Sequence, residues 1–214
     1  MTEDDDSADA LNARELADAA VHDQIVAAAS EHFRHYGYAK TTVSDLAKAI
    51  GFSKAYIYKF FDSKQSIGEA ICLERLGKIS RQAELEVRGC RTAQDKLVRL
   101  FRTIVDGTKA LLSADKRVFD MAAFSTQERW SSYQAYMDTL HVALRAIIAE
   151  GRETGEFERK TPLDETCRVI LQAMQPFINP LMLKYSFDPA PDAPDEVISL
   201  VLRSLISSHR PVTN

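Results

Sequence analysis

The sequence predicts an all-α fold: an N-terminal domain of three helices joined through a long helix to a larger helical C-terminal domain. Three observations carry this. Proline is absent before Pro162, no long stretch alternates apolar and polar residues as a strand does, and apolar residues recur at three- and four-residue spacing along most of the chain. With 214 residues, 45% of them hydrophobic and 27% charged, the chain suits one or two domains and is long enough to bury a proper core.

Taken in order, the first strong helix spans about Val21 to Tyr36, where Ile25, Ala29, Phe33 and Tyr36 share a face and Gly37 supplies a stop. A short helix follows over Val43 to Ile50, capped by Thr42 and ended by Gly51. Phe52 and Ser53 make a turn, and Ser53 caps a third helix, Lys54 to Phe61, anchored inward by Ile57 and Phe61. Asp62 or Ser63 starts a fourth helix that runs to about Val87, with the domain boundary inside it near Ile67 to Ile71. Longer helices are expected at Ala93–Leu112, Lys116–Thr126, Ser131–Glu153, Leu163–Tyr185 and Asp195–Ser208. Thr161-Pro162 reads as a cap and first helical residue, Pro176 and Pro180 as kinks, and Asp188 to Pro194 as a stiff surface linker. The expected domains are therefore residues 1–18 as an acidic disordered tail, 19–68 and 69–214.

The net charge of −4 hides an asymmetry. Glu3, Asp4, Asp5, Asp6 and Asp9 crowd the N-terminus, whereas from residue 40 to residue 64 Lys40, Lys48, Lys54, Lys59 and Lys64 face only Asp45 and Asp62. Local charge, not the whole-chain average, sets attraction to phosphate. No apolar run approaches the roughly 18 residues of a membrane span, and the acidic N-terminus is unlike a signal peptide, so a cytoplasmic protein without membrane contact is expected. Cys72, Cys90 and Cys167 are too far apart for a zinc motif or a disulfide framework. His32 and His35 have the spacing of a helical metal pair but no third ligand, so no metal or cofactor is implied.

Two short helices joined by a tight turn, the second basic and aromatic outward, form a helix-turn-helix pattern. The outward face offers Lys54, Ala55, Tyr56, Tyr58, Lys59 and Phe60, dimensions and chemistry that suit the DNA major groove. A plain three-helix core is the alternative on pattern alone, with Tyr58 at its rim. Motifs of the common enzyme classes (G-x-G-x-x-G, P-loop, H-E-x-x-H, G-x-S-x-G) are missing, which argues against a helical enzyme.

Residues 33–64 resemble the DNA-binding domain of the tetracycline-repressor (TetR) family. The matching pattern is Phe33, Gly37-Tyr38, Thr41-Thr42-Val43, Asp45-Leu46-Ala47, Gly51-Phe52-Ser53-Lys54, Ile57-Tyr58, Phe61 and Ser63-Lys64. The resemblance implies a homodimeric, ligand-responsive regulator, a repressor released from a palindromic operator by a small, largely apolar effector, with double-stranded operator DNA as partner. It places DNA contacts at Thr41, Thr42, Ser44, Ser53, Lys54, Ala55, Tyr56, Tyr58, Lys59, Phe60 and Lys64, with the Thr42 hydroxyl and backbone N–H, Tyr58 and Lys64 on phosphates. Ser44 stands where many members carry arginine, Tyr56 where a small threonine is common, and Phe60 where histidine or tyrosine is common. A protein-interaction adaptor that keeps the fold without binding DNA is the competing function.

The C-terminal half is rich in aromatic residues and methionine, stripes that are core first and cavity wall second. The residues expected to line an effector site are Phe101, Phe119, Phe124, Gln127, Trp130, Tyr133, Tyr136, Met137, His141, Met174 and Phe177, with Gln172 and Gln175 as further polar groups. The resemblance assigns the homodimer contact to the last two long helices, where Val197, Leu200, Val201, Leu205 and Ile206 form an apolar seam.

Overall fold

A computed structural model describes residues 3–114, 116–186 and 192–206. Its helices are α1 (Glu3–Tyr36), α2 (Val43–Ile50), α3 (Lys54–Ile57), α4 (Lys64–Arg88), α5 (Ala93–Ala114), α6 (Lys116–Gln127), α7 (Ser131–Glu153), α8 (Leu163–Ile178), α9 (Pro180–Ser186) and α10 (Ala193–Leu205). Two compact units, Met1–Ile71 and Cys72–Asn214, divide within α4. Among the described residues no helix is long and apolar enough to cross a membrane.

In the first unit, α1 buries Ile25, Val26, Ala29 and Phe33, and α2 answers with Val43, Leu46 and Ala47. Gly37, at φ 84°, adopts the left-handed conformation and returns its N–H to the Phe33 carbonyl at 2.8 Å, closing α1. Residues 3–18, expected as a disordered tail, are instead the first part of α1. Alanine is the strongest helix former, and this stretch carries Ala8, Ala10, Ala13 and Ala17 ahead of Ala19 and Ala20. Helix propensity extends the element where core periodicity gives no signal: residues 13–20 are all exposed.

In the second unit, α7 is central, burying Tyr136, Leu140, Leu144, Ile147 and Ile148 against α5, α8 and the later turns of α4. The segment expected as one helix over Leu163–Tyr185 is two. Asn179 is extended (φ −92°, ψ 117°) because a residue before proline is pushed out of the helical region, and Pro180 follows it. Asn179 then serves the break, its Oδ1 accepting the Leu181 N–H at 2.9 Å as α9 begins. Pro176 sits inside α8 without ending it. Pro162, not Thr161, precedes the first residue of α8, and no side chain caps that helix. The last helix ends at Leu205; Ile206 instead pairs with Phe157 in an isolated antiparallel bridge. The linker at residues 188–194 lies largely outside the described residues.

One end of this unit is closed tightly. A Cβ on Gly151 would fall inside the edge of the Phe157 ring and 2.8 Å from Ala93 Cβ, so only glycine lets these three meet. Beside them Glu156 caps α5, accepting the N–H groups of Ala93 at 3.1 Å and Gln94 at 3.2 Å. Partial burial opposes ionisation of Glu156, but those two N–H groups and the Thr154 hydroxyl outweigh it and hold its carboxyl below the usual range.

Two outcomes are expected. Gly151→Ala lowers stability by about 1–3 kcal/mol through overpacking, read as a drop in thermal midpoint. The Glu156 contribution is present above the unfolded carboxyl pKa and is lost as pH falls through the lower folded value. Denaturant titrations from pH 7 down to pH 3 should therefore show Glu156→Gln less stable by about 1 kcal/mol at neutral pH, with the gap closing in acid.

Candidate nucleic-acid interface and effector cleft

The turn between α2 and α3 is set by Gly51, at φ 81°, whose N–H and that of Phe52 both reach the Ala47 carbonyl, at 3.0 and 2.9 Å. Ser53 caps α3, its hydroxyl accepting the Tyr56 N–H at 3.0 Å while keeping its own proton to donate. Only residues 54–57 are α-helical. The expected helix to Phe61 tightens after Ile57, where Lys59 N–H bonds the Tyr56 carbonyl and Phe60 N–H that of Ile57. Ile57 and Phe61 are buried and anchor this segment, and the His22 ring stacks on Phe61 at 4.6 Å.

What remains outward is basic and aromatic. Lys54, Ala55, Tyr58 and Lys59 are exposed. Tyr56 stands edge-to-face between Phe52 at 5.0 Å and Phe60 at 5.4 Å, a partly buried aromatic row that fixes its direction. Lys54 Nζ lies 5.7 Å from the Tyr58 ring and Lys59 Nζ 5.4 Å from the Tyr56 ring, so both ammonium groups are held on the same surface. Lys64, the first residue of α4, donates to the Tyr38 carbonyl at 3.0 Å and lies over its ring at 4.4 Å. Ser63 and Ser66 cap that helix reciprocally.

Two expected contact residues change role. Thr41 is 2% exposed and donates its hydroxyl to the Gly37 carbonyl at 2.9 Å, so it is a core group of the turn and not part of the outer face. Thr42 is exposed, but its N–H and its hydroxyl both go to Asp45 Oδ2, at 2.9 and 2.7 Å, in a capping box. The two donors expected on a phosphate are thus committed within α2. The Thr42 hydroxyl and N–H also draw the Asp45 carboxyl below its usual pKa. Ser44 is half-buried. His32 meets the Thr41 hydroxyl and His35 meets Glu31, and among the described residues no cluster of three metal-ligating side chains occurs.

In the C-terminal unit a cleft of about 720 Å³ opens beside the N-terminal turns of α7, within the 300–1,000 Å³ range of small-molecule sites. Of the residues expected there, Trp130, Tyr133 and Met137 line it, together with Gln172 and Gln175. Tyr136 instead walls a recess of about 180 Å³ between α4 and α7. Phe101 and Met174 flank a crevice of about 40 Å³, and Phe119 is core. Phe124, Gln127, His141 and Phe177 line none of these spaces. Thr126, Arg129, Gln134, Pro176, Asn179 and Met182 complete the cleft and were not legible in the sequence as its lining. Arg129 sits in the α6–α7 turn at φ 55°, and a wall assembled from four elements leaves no periodic trace. A second groove of about 600 Å³, floored by Val87, Leu100 and Ile147 and edged by the Lys96–Glu150 ion pair, was likewise unexpected.

A short capped helix that presents lysine and tyrosine beyond a glycine turn defines a helix-turn-helix, DNA-binding regulator of transcription. The chain belongs to the TetR family: the profile described as "Bacterial regulatory proteins, tetR family" matches residues 25–71, and that described as "Tetracyclin repressor-like, C-terminal domain" matches residues 93–198. No curated protein matches it in sequence. Similar solved structures include the fatty acid degradation regulator FadR of Bacillus halodurans (20% identity, TM-score 0.63, 88% of this chain and 96% of that one). FadR of Bacillus subtilis, in complex with stearoyl-CoA, has 22% identity and TM-score 0.62 over 85% of this chain and 97% of that one. Thermus thermophilus FadR, in complex with lauroyl-CoA, has 18% identity and TM-score 0.66 over 90% and 99%. At these identities the likeness is one of fold.

Thr42→Ala should destabilise the first unit by about 1 kcal/mol, and Thr42→Ser should restore most of it, because the hydroxyl is what caps α2. Chemical denaturation of both variants distinguishes this from a purely surface role, which would leave both unchanged.

Proposed function

We propose that the chain is a homodimeric repressor that binds a near-palindromic operator through α3 and releases it when a small, largely apolar effector occupies the C-terminal unit. The observation that carries the DNA part is the α3 face, where Lys54, Tyr56, Tyr58 and Lys59 are held outward by an anchored, capped turn. Two such helices in successive major grooves would read half-sites about 34–36 Å apart. Lys54, Ala55, Tyr56 and Phe60 meet base edges, and Ser44 stands at a base-contact position; Phe60 offers only an apolar contact, as to a thymine methyl. Ser53, Tyr58, Lys59 and Lys64 meet the backbone, Lys64 acting with the N-terminus of α4. Thr42 supports them by fixing α2.

The dimer contact falls on the outward faces of α8 and α10. Val169 at 58% and Leu200 at 60% exposure are apolar groups left in solvent by a single chain. The effector part is supported by the cleft at Trp130 and by the two FadR structures that hold acyl-CoA molecules. Binding there biases the protein between a DNA-competent and a released state by its differential affinity for the two.

Selection from a random duplex library, followed by gel shifts across a salt series, tests the reading. A near-palindromic site and retardation that weakens with salt are expected; no retardation at low salt would favour the adaptor function. Lys64→Ala should weaken all duplexes alike and lower the salt slope by about one, while Tyr56→Phe should relax sequence preference at one position and leave the slope unchanged. Val169→Asp with Leu200→Asp should give monomers by analytical ultracentrifugation.

A further inference from the structure

The cleft beside the start of α7 has a fixed hydrogen-bond polarity, and it begins at the break before Pro180. The Asn179 side-chain oxygen is oriented by two backbone groups, accepting the Leu181 N–H at 2.9 Å and the Met182 N–H at 3.4 Å. Its amide nitrogen therefore faces the other way and donates to Gln175 Oε1 at 3.0 Å. The Tyr133 hydroxyl donates to the same oxygen at 3.4 Å. With Gln175 Oε1 turned toward two donors, Gln175 Nε2 keeps N–H groups that no described residue accepts. Gln175, Asn179 and Tyr133 all line the cleft.

Arg129, in the α6–α7 turn, adds a charge to this lining. Among the described residues it is the one non-glycine residue with positive φ, 55°, a conformation that glycine adopts freely and arginine does not. Its backbone N–H closes the turn on the Thr126 carbonyl at 3.3 Å. Its guanidinium is exposed and has no ion pair or hydrogen bond among the described residues. Of the described residues lining the cleft, Arg129 alone is charged. Trp130 follows it directly, and Tyr133, Met137 and Met182 continue the wall with a phenol and two thioethers. Backbone strain of this kind gathers at ligand sites, and here the strained residue carries a cation that the fold leaves unused.

We propose that the cleft takes an aromatic carboxylic acid in its ionised form, with Arg129 paired to the carboxylate, Gln175 Nε2 donating to an oxygen of the same ligand, and the ring packed on Trp130 and Tyr133. This rests on the proposal that the C-terminal unit binds its effector in this cleft. An ionised carboxylate only accepts hydrogen bonds, which is what an unpaired guanidinium and an amide presenting its nitrogen call for. The planar guanidinium can meet both carboxylate oxygens with parallel bonds. Indole, phenol and thioether walls favour a ring over an aliphatic chain. A cationic ligand would meet Arg129 as a like charge, with no lining carboxylate to offset it.

The test uses the full chain near neutral pH and Trp130, its single tryptophan, whose fluorescence reports occupancy of the cleft. The probes are 3-phenylpropanoate, its neutral isostere 3-phenylpropanamide, 3-cyclohexylpropanoate and dodecanoyl-CoA. The phenyl acid should bind the parent about tenfold or more tighter than the amide, and more tightly than the cyclohexyl acid. Arg129→Gly should bring the acid down to the affinity of the amide while keeping or raising Tm, because glycine takes the turn conformation without strain. Gln175→Glu keeps an acceptor for Asn179 and Tyr133 but replaces the donor with a second acceptor, and should weaken the acid about tenfold or more. An arginine held for the fold alone would lower Tm when replaced and leave affinity unchanged; that result overturns the proposal. Equal binding of acid and amide, or of phenyl and cyclohexyl acids, does so too. If dodecanoyl-CoA quenches Trp130 and the phenyl acid does not, the effector cleft stands and the aromatic-acid assignment falls. If no probe binds, both fall for this cleft.

Discussion

The interface depends on the burial of Ile57 and Phe61. A helix of four residues has no stability of its own, since nucleation costs more than one turn of hydrogen bonds returns. Segment 54–61 therefore takes its shape from the core beneath it. Two buried apolar side chains, Ile57 and Phe61, four positions apart, fix which way Lys54, Tyr56 and Lys59 point. The aromatic row Phe52–Tyr56–Phe60 and the two ammonium–ring contacts then limit the freedom of side chains that would otherwise be mobile. A surface built this way is preorganised, and less ordering entropy is lost when a rigid duplex docks on it.

The two ends of α7 are built differently. Toward the C-terminal end of that helix, Gly151, Phe157 and Ala93 meet at a distance only glycine permits, and Glu156 fastens the start of α5. Toward the other end Trp130 supplies no side-chain cap, α8 breaks at Asn179, and the cleft opens between them. The break before Pro180 separates α9 from the line of α8 and brings Asn179 into the cleft wall.

Much of the first unit was legible because its signals are local. Gly37 and Gly51 needed positive φ, Thr42 and Ser53 capped what followed them, and Ile57 and Phe61 kept helical spacing. What sequence reasoning missed there was competition for donors. The Thr42 hydroxyl looks free on a pattern, yet the Asp45 carboxylate three residues on accepts from both the hydroxyl and the Thr42 backbone N–H. Thr41 was misplaced for a similar reason, since a hydroxyl beside a turn carbonyl folds inward to satisfy it. The long α8 was overextended because apolar periodicity continues through Asn179 and only the pre-proline rule interrupts it. In the second unit, Tyr133 and Trp130 could be named but not joined to Arg129 or Asn179, whose proximity is a product of tertiary packing.

The same contrast between local and tertiary signals applies to the polar groups in the core of the second unit. A helical serine or threonine that bonds its own backbone four residues back is satisfied wherever the helix goes, and reports nothing about ligands. Ser132 cannot do this because it sits too near a helix start, and its hydroxyl is left without a partner. Tyr136, whose hydroxyl is carried away from the backbone on a rigid ring, finds the Thr108 hydroxyl instead. A buried hydroxyl without a partner lowers stability, and an apolar residue of similar shape at position 132 would remove that penalty.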